Sequence, residues 1–286
     1  MTSLLEKKLK KLVQKEHKLL DSRGRPPKTT GINQALAKVE EKVPAKLRQG
    51  IYTAFEKSFR LIFEKGTVLI EKTYQRKKLL HRHKFLRYSL RHKPSGANFR
   101  ALRRHGAAGQ NLAAGLAALE GSALGLAGWG LPDIPLFTSM ILRGIYRASL
   151  SYGYNYDTLP EKYYLLLLIA GALSKGEAYK IYSQEIDILG SRLNQQDQPT
   201  APASDLPASF AEEITAGKLD QQIKDTSALL ADEMLAAKFI QGTFIIGAVG
   251  GITNFATYRK ILGFAKLKLE KRFLIQEILL AKEQGR

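Results

Sequence analysis

The sequence predicts an all-α fold, a multi-helix bundle whose core helices are rich in Gly and Ala and pack tightly. Three observations carry that expectation. Apolar residues recur at spacings of three and four through most of the 286 residues, the period of a helix that buries one stripe. No stretch of useful length alternates apolar and polar residues as a half-buried strand does. Ala and Gly dominate residues 106–130, and such small residues let helix backbones approach closely.

The elements follow in order. In the opening stretch Leu5, Leu9, Leu12 and Leu19 share one stripe, with Lys7, Lys8, Lys10 and Lys11 beside it. An amphipathic helix of this kind either lies on an anionic bilayer or packs on another helix. Lysine and glutamate interrupt its apolar pairs, so it lacks the unbroken apolar stretch of a secretory signal. Gly24, Pro26, Pro27 and Gly31 then predict a loop, because neither proline continues a helix. Residues 1–42 thus read as a basic amphipathic N-terminal extension and residues 43–286 as a helical domain.

Residues 44–65 predict a helix, with Pro44 suited to its first turn and Leu47, Ile51, Phe55, Phe59 and Ile62 on its apolar side. Residues 66–91 continue as helix with a looser stripe of Ile70, Tyr74, His81, Phe85 and Tyr88, and Pro94, Ser95 and Gly96 mark a break. Asp133 suits the start of the next helix, whose first turn tolerates Pro135 and which runs to about Tyr152. A helix over residues 160–173 is apolar on all sides and predicts complete burial. Pro199, Pro202 and Pro207 predict an exposed loop at about 193–209, followed by an acidic helix over 210–238 and an apolar, then basic, helix over 239–283. Residues 239–258 carry no charge and include the pair Gly247 and Gly251 at GxxxG spacing. Gln241, Asn254, three threonines and four glycines make that stretch weakly apolar, which favours a buried helix over a membrane span.

Charge is the unusual quantity. Lys and Arg total 45 against 26 Asp and Glu, a net +19. Residues 1–105 hold 28 of those cations and 8 of the acids, so the excess lies wholly in the first third. No acidic residue occurs between Glu71 and Glu120, while twelve cations do. Ten of them are candidates for contact with an anionic membrane: Lys72, Arg76, Lys77, Lys78, Arg82, Lys84, Arg87, Arg91, Arg103 and Arg104. The other two are Lys93 and Arg100. Such a cluster focuses a field that a neutral partner would not need.

The residues exclude more chemistry than they suggest. Cysteine is absent, which rules out disulfides, thiolate catalysis and iron–sulfur ligation and makes the cytoplasm the default compartment. All five histidines, His17, His81, His83, His92 and His105, fall in the basic third, so a histidine base or metal site in the apolar body is not expected. Residues 242–249 have the glycine spacing of a phosphate loop, but Ala248 and Val249 stand where lysine and Ser or Thr belong. Glu212 and Glu213, like Asp232 and Glu233, are sequence neighbours and do not face each other on a helix. Asp133, Arg143, Asn254 and Arg272 sit in apolar context and need partners, an ion pair or a helix cap. Tyr152, Tyr154, Tyr156, Tyr163 and Tyr164 suit a half-buried rim or an aromatic belt at a headgroup interface. No catalytic residue, metal or cofactor is assigned.

Residues 125–154, GLAGWGLPDIPLFTSMILRGIYRASLSYGY, and 247–274, GAVGGITNFATYRKILGFAKLKLEKRFL, resemble the EcsC family over about residues 40–280. The matching signature residues are Asp133, Pro135, Arg143, Tyr152, Gly153, Gly251, Asn254 and Arg272. The resemblance brings no activity with it. It implies a bacterial protein named from a gene beside an ABC transporter, so a membrane transporter is an expected partner. The expectation is a cytoplasmic protein peripheral to the inner face of the membrane, docked on anionic lipid and holding a lipid in its Gly/Ala core. Two other classes stand beside it. The same arginines attract nucleic acid, with Tyr74, Phe85 and Tyr88 available for stacking. A hydrolytic enzyme would use Asp133.

Overall fold

The computed structural model describes residues 1–23, 44–107, 133–196, 214–240 and 250–284, without the side chains of 133, 196, 237–240 and 250–254. Among them every regular element is a helix. α1 spans Thr2–Arg23, and α2 (Ala45–Leu61) runs through a π turn (Ile62–Gly66) into α3 (Thr67–Lys72). Next come α4 (Arg76–His92), α5 (Gly96–Gly106), α6 (Asp133–Ser151) and α7 (Leu159–Leu173). The last three are α8 (Gly176–Gln196), α9 (Ala216–Ile240) and α10 (Gly250–Glu283).

Local chemistry sets several ends. Ser95 caps α5 by accepting the Asn98 amide at 3.2 Å, and Thr158 caps α7 from the Glu161 amide at 3.4 Å, with Pro160 in the first turn. Pro94 keeps α4 and α5 apart. The helix expected to run unbroken over 66–91 is broken at Thr73–Gln75. The reason is tertiary: the Thr73 carbonyl accepts from Arg143 of α6, and the Tyr74 hydroxyl bonds that of Tyr156. α8 fills a stretch to which apolar spacing assigns no element, and its last turn reaches into the loop expected from 193. Leu193 and Asn194 are buried there, Asn194 against α10, which holds the turn in helix.

α10 is the central post. It packs against α1, α6, α7, α8 and α9, and buries Ile261, Leu262, Phe264, Leu269, Phe273 and Leu274. α7 lies against α8, α9 and α10, and its run Leu165–Ile169 is fully buried, so an all-round apolar helix is buried all round as expected. Where α6 crosses α10, a Cβ on Gly144 would lie 2.7 Å from Leu262 and 2.8 Å from the Tyr258 hydroxyl. A larger residue there would require Leu262 and Tyr258 to shift. The Ala- and Gly-rich segment beyond residue 107, Gly247 and most of 239–258 fall outside the described residues. Among those described, no helix is long and apolar enough to cross a membrane.

α1 lies on α10. Leu5 and Leu12 are buried, and Glu16 is paired with Lys268 and Lys271. Burial pushes the Glu16 carboxyl up, yet the two lysines outweigh it and hold it below its ordinary value. Of the two fates open to the amphipathic helix, packing is the one seen. The expected boundary at residue 42 falls outside the described residues.

Candidate functional site

α4 has two chemically different sides. Inward, His83, Leu86 and Leu90 are buried against α6 and its neighbours. Beside them Arg87 and Arg91 reach across to Glu277 of α10, at 2.6 Å and 2.7 Å. Glu277 is fully buried and receives both guanidinium groups. Outward, Lys77, His81, Lys84, Phe85, Tyr88 and His92 are exposed. Their offsets of 4, 7, 8, 11 and 15 from the first place them on one helical stripe. Lys78 and Arg82 flank it, with the Arg82 guanidinium 5.7 Å from the Phe85 ring centre. Phe85 and Tyr88 are each 60% exposed, the most exposed aromatic rings among the described residues.

Folding therefore sorts the ten candidate cations. Arg76 pairs with Glu71 and Asp157, Arg87 and Arg91 with Glu277, and Arg103 with Glu270 at 3.2 Å. Lys72, Lys77, Lys78, Arg82, Lys84 and Arg104 are exposed and form no ion pair with another described residue. Tyr74, expected to be available for stacking, is half-buried and hydrogen-bonded to Tyr156.

The signature residues serve packing and polar satisfaction. Arg272 of α10 donates two hydrogen bonds to Glu161 of α7, at 2.7 Å and 3.0 Å, and one to Asn194 at 2.9 Å. Its guanidinium lies 3.8 Å from the centre of the Tyr154 ring. The ion-pair partner of Arg272 is thus a glutamate of α7. Tyr152 is buried and donates to Glu270 at 3.4 Å; burial, then that carboxylate, push its hydroxyl well above its ordinary value. Gly153 has φ +89°, and a Cβ there would meet His83 Nε2 at 2.5 Å. His83 Nδ1 donates to the Ser151 carbonyl at 3.0 Å, so Nε2 is the bare nitrogen, and burial pushes the ring down to about 4. Pro135 is buried in the first turn of α6. Arg143 donates to the Thr73 hydroxyl at 2.7 Å. The side chains of Asp133 and Asn254, and that of position 251, lie outside the described residues. Tyr154, Tyr156 and Tyr164 are fully buried rather than on a rim.

Sequence reasoning missed the buried lysine centre, because its members are far apart in the chain. Lys268 is fully buried and donates to Ser183 Oγ at 2.7 Å and Asp187 at 3.0 Å, besides Glu16. Every charge there is matched, so it binds helices together rather than a ligand. An open groove of about 430 Å³ between α7 and α8 is lined by Tyr163, Ile181, Glu185, Ile188 and Leu189. Its polar pair is already joined, Tyr163 donating to Glu185 at 2.8 Å, and no nucleophile and base meet in it. Among the described residues no cluster of His, Asp and Glu has the makings of a metal site.

The profile of the EcsC protein family matches residues 6–274, from the second turn of α1 into the later turns of α10. The chain belongs to the EcsC protein family. The matched range takes in most of α1, the basic helices and α10 as far as Leu274. No curated protein and no solved structure matches the chain.

Proposed function

We propose that this EcsC-family protein attaches peripherally to anionic membrane through the outward stripe of α4. The observation that carries the reading is the pair Phe85 and Tyr88, both largely in solvent, standing among Lys77, Lys84 and Arg82. Exposed aromatic rings suit the headgroup region, and cations near it contribute about 1 kcal/mol each, screened as salt rises. Ion pairing narrows the surface to Lys72, Lys77, Lys78, Arg82, Lys84 and Arg104, which together contribute at most about 6 kcal/mol. A lipid held in the Gly/Ala core and an association with a membrane transporter are further parts of the reading. Lipid mass spectrometry of the purified protein and co-purification from detergent-solubilised membranes test them.

Vesicle co-sedimentation decides the electrostatic part. The full chain binds phosphatidylcholine vesicles containing phosphatidylglycerol and not phosphatidylcholine alone, and the doubly substituted Lys77→Glu/Lys84→Glu protein binds about tenfold more weakly or worse. Equal binding to neutral and anionic vesicles refutes it. A gel shift with a steep salt slope, together with indifference to vesicles, would select nucleic acid instead.

A further inference from the structure

Among the described residues most buried charges are matched, with one exception on α6. Ser139, Arg143, Arg147 and Ser151 are spaced by four and share one side of that helix. Ser139 Oγ, Arg143 Nη1, Arg147 Nε and Ser151 Oγ are all buried, and none has a hydrogen-bond partner among the described residues. Arg143 is only 4% exposed. Its remaining contacts are to neutral atoms, the Thr73 hydroxyl at 2.7 Å and the Thr73 carbonyl at 3.3 Å. No carboxylate among the described residues pairs with Arg143 or Arg147.

The contrast with the rest of the core is sharp. Arg272 has Glu161, Lys268 has Glu16 and Asp187, and Arg87 and Arg91 share Glu277. Arg143 and Arg147 are like charges one turn apart, and such neighbours repel. A guanidinium taken from water without a counterion is costly. Burial, and after it the Arg147 charge, lowers the Arg143 guanidinium from its ordinary value. The component that the described residues leave unsupplied is an anion.

We infer that Arg143 and Arg147, with Ser139, form a binding site for a phosphate oxyanion, carried by a lipid headgroup or free in solution. The donor set selects that class. Guanidinium groups only donate, and a serine hydroxyl can, so three side chains on successive turns present donors to an acceptor with several oxygens. Helical side chains lean toward the N-terminus, which brings the Arg147 group back over Arg143 and the Arg143 group toward Ser139. Thr73 closes one side of the site. The inference is independent of the membrane reading, since the site lies on α6 and not on the outward stripe of α4.

Calorimetric titration and thermal melting of the full chain test it, with inorganic phosphate in one arm and a short-chain phosphatidic acid below its micellar concentration in the other. Sodium chloride at matched ionic strength is the control. Saturable binding and a raised Tm are expected in at least one arm. Tighter binding of the short-chain lipid identifies a headgroup as the source, and equal binding of phosphate identifies the free anion. Arg147→Gln, at a half-buried position, weakens binding at least about tenfold while circular dichroism stays unchanged. Arg143→Met abolishes it; should that variant not fold, Arg147→Gln carries the test alone. Neither ligand exceeding the chloride control, or Arg147→Gln binding as tightly as the unaltered chain, overturns the site.

Discussion

The two sides of α4 carry the same kind of residue and meet opposite fates. Arg87 and Arg91 turn inward, where one buried carboxylate, Glu277, satisfies both. Lys77, Lys84 and the flanking Arg82 turn outward beside Phe85 and Tyr88 and meet no carboxylate among the described residues. A cation on this helix is a structural part or a surface charge according to where its turn points. Composition cannot separate the two.

Substitutions on the two sides should therefore read out differently. The largest effect belongs to Arg87→Ala/Arg91→Ala, which leaves the Glu277 carboxylate wholly buried and unpaired; chemical denaturation should show a loss of about 3–5 kcal/mol. A loss below 1 kcal/mol would mean that the inward arginines are as dispensable as the outward lysines.

His83, on the same inward side, gives the next effect. Its folded pKa, about 4, lies below its ordinary value of 6.5, so the unfolded chain takes up the proton first as pH falls. The contribution is complete above about pH 6.5 and is lost on descent to about pH 4, worth about 3 kcal/mol in all. Denaturation midpoints across that range should show the slope in the unaltered protein. His83→Asn, which keeps a donor toward the Ser151 carbonyl, should flatten it; an unchanged slope would assign the titration to another group.

The smallest effect on stability belongs to the outward side. Lys77→Glu/Lys84→Glu should shift the denaturation free energy by no more than about 0.5 kcal/mol, whereas the proposed attachment requires the same protein to bind anionic vesicles about tenfold more weakly or worse. A large destabilisation would show that the outward lysines hold the fold, and the contrast between the sides would vanish.

Much of the helical framework was legible because its causes are local. The stripe Ile51, Phe55 and Phe59 is buried as its spacing predicts, and the break expected at Pro94–Gly96 falls between α4 and α5. The break at Thr73 was not legible, since it depends on Arg143 from a helix seventy residues away. The same holds for α8, whose last turn is kept by Asn194 against Arg272. Of the candidate surface, Phe85, Tyr88 and the charge run were visible in the sequence. Which cations stay in solvent was not.

The chain's own order of residues dictates that it is helical, that its cations crowd the first third and that apolar stripes face inward, because periodicity and capping act over a turn or two. Packing alone assigns counterions. Arg87 meets a carboxylate 190 positions along the chain, whereas buried Arg143 and half-buried Arg147 meet none among the described residues. Electrostatic pairing acts through space, and proximity in space is what folding creates.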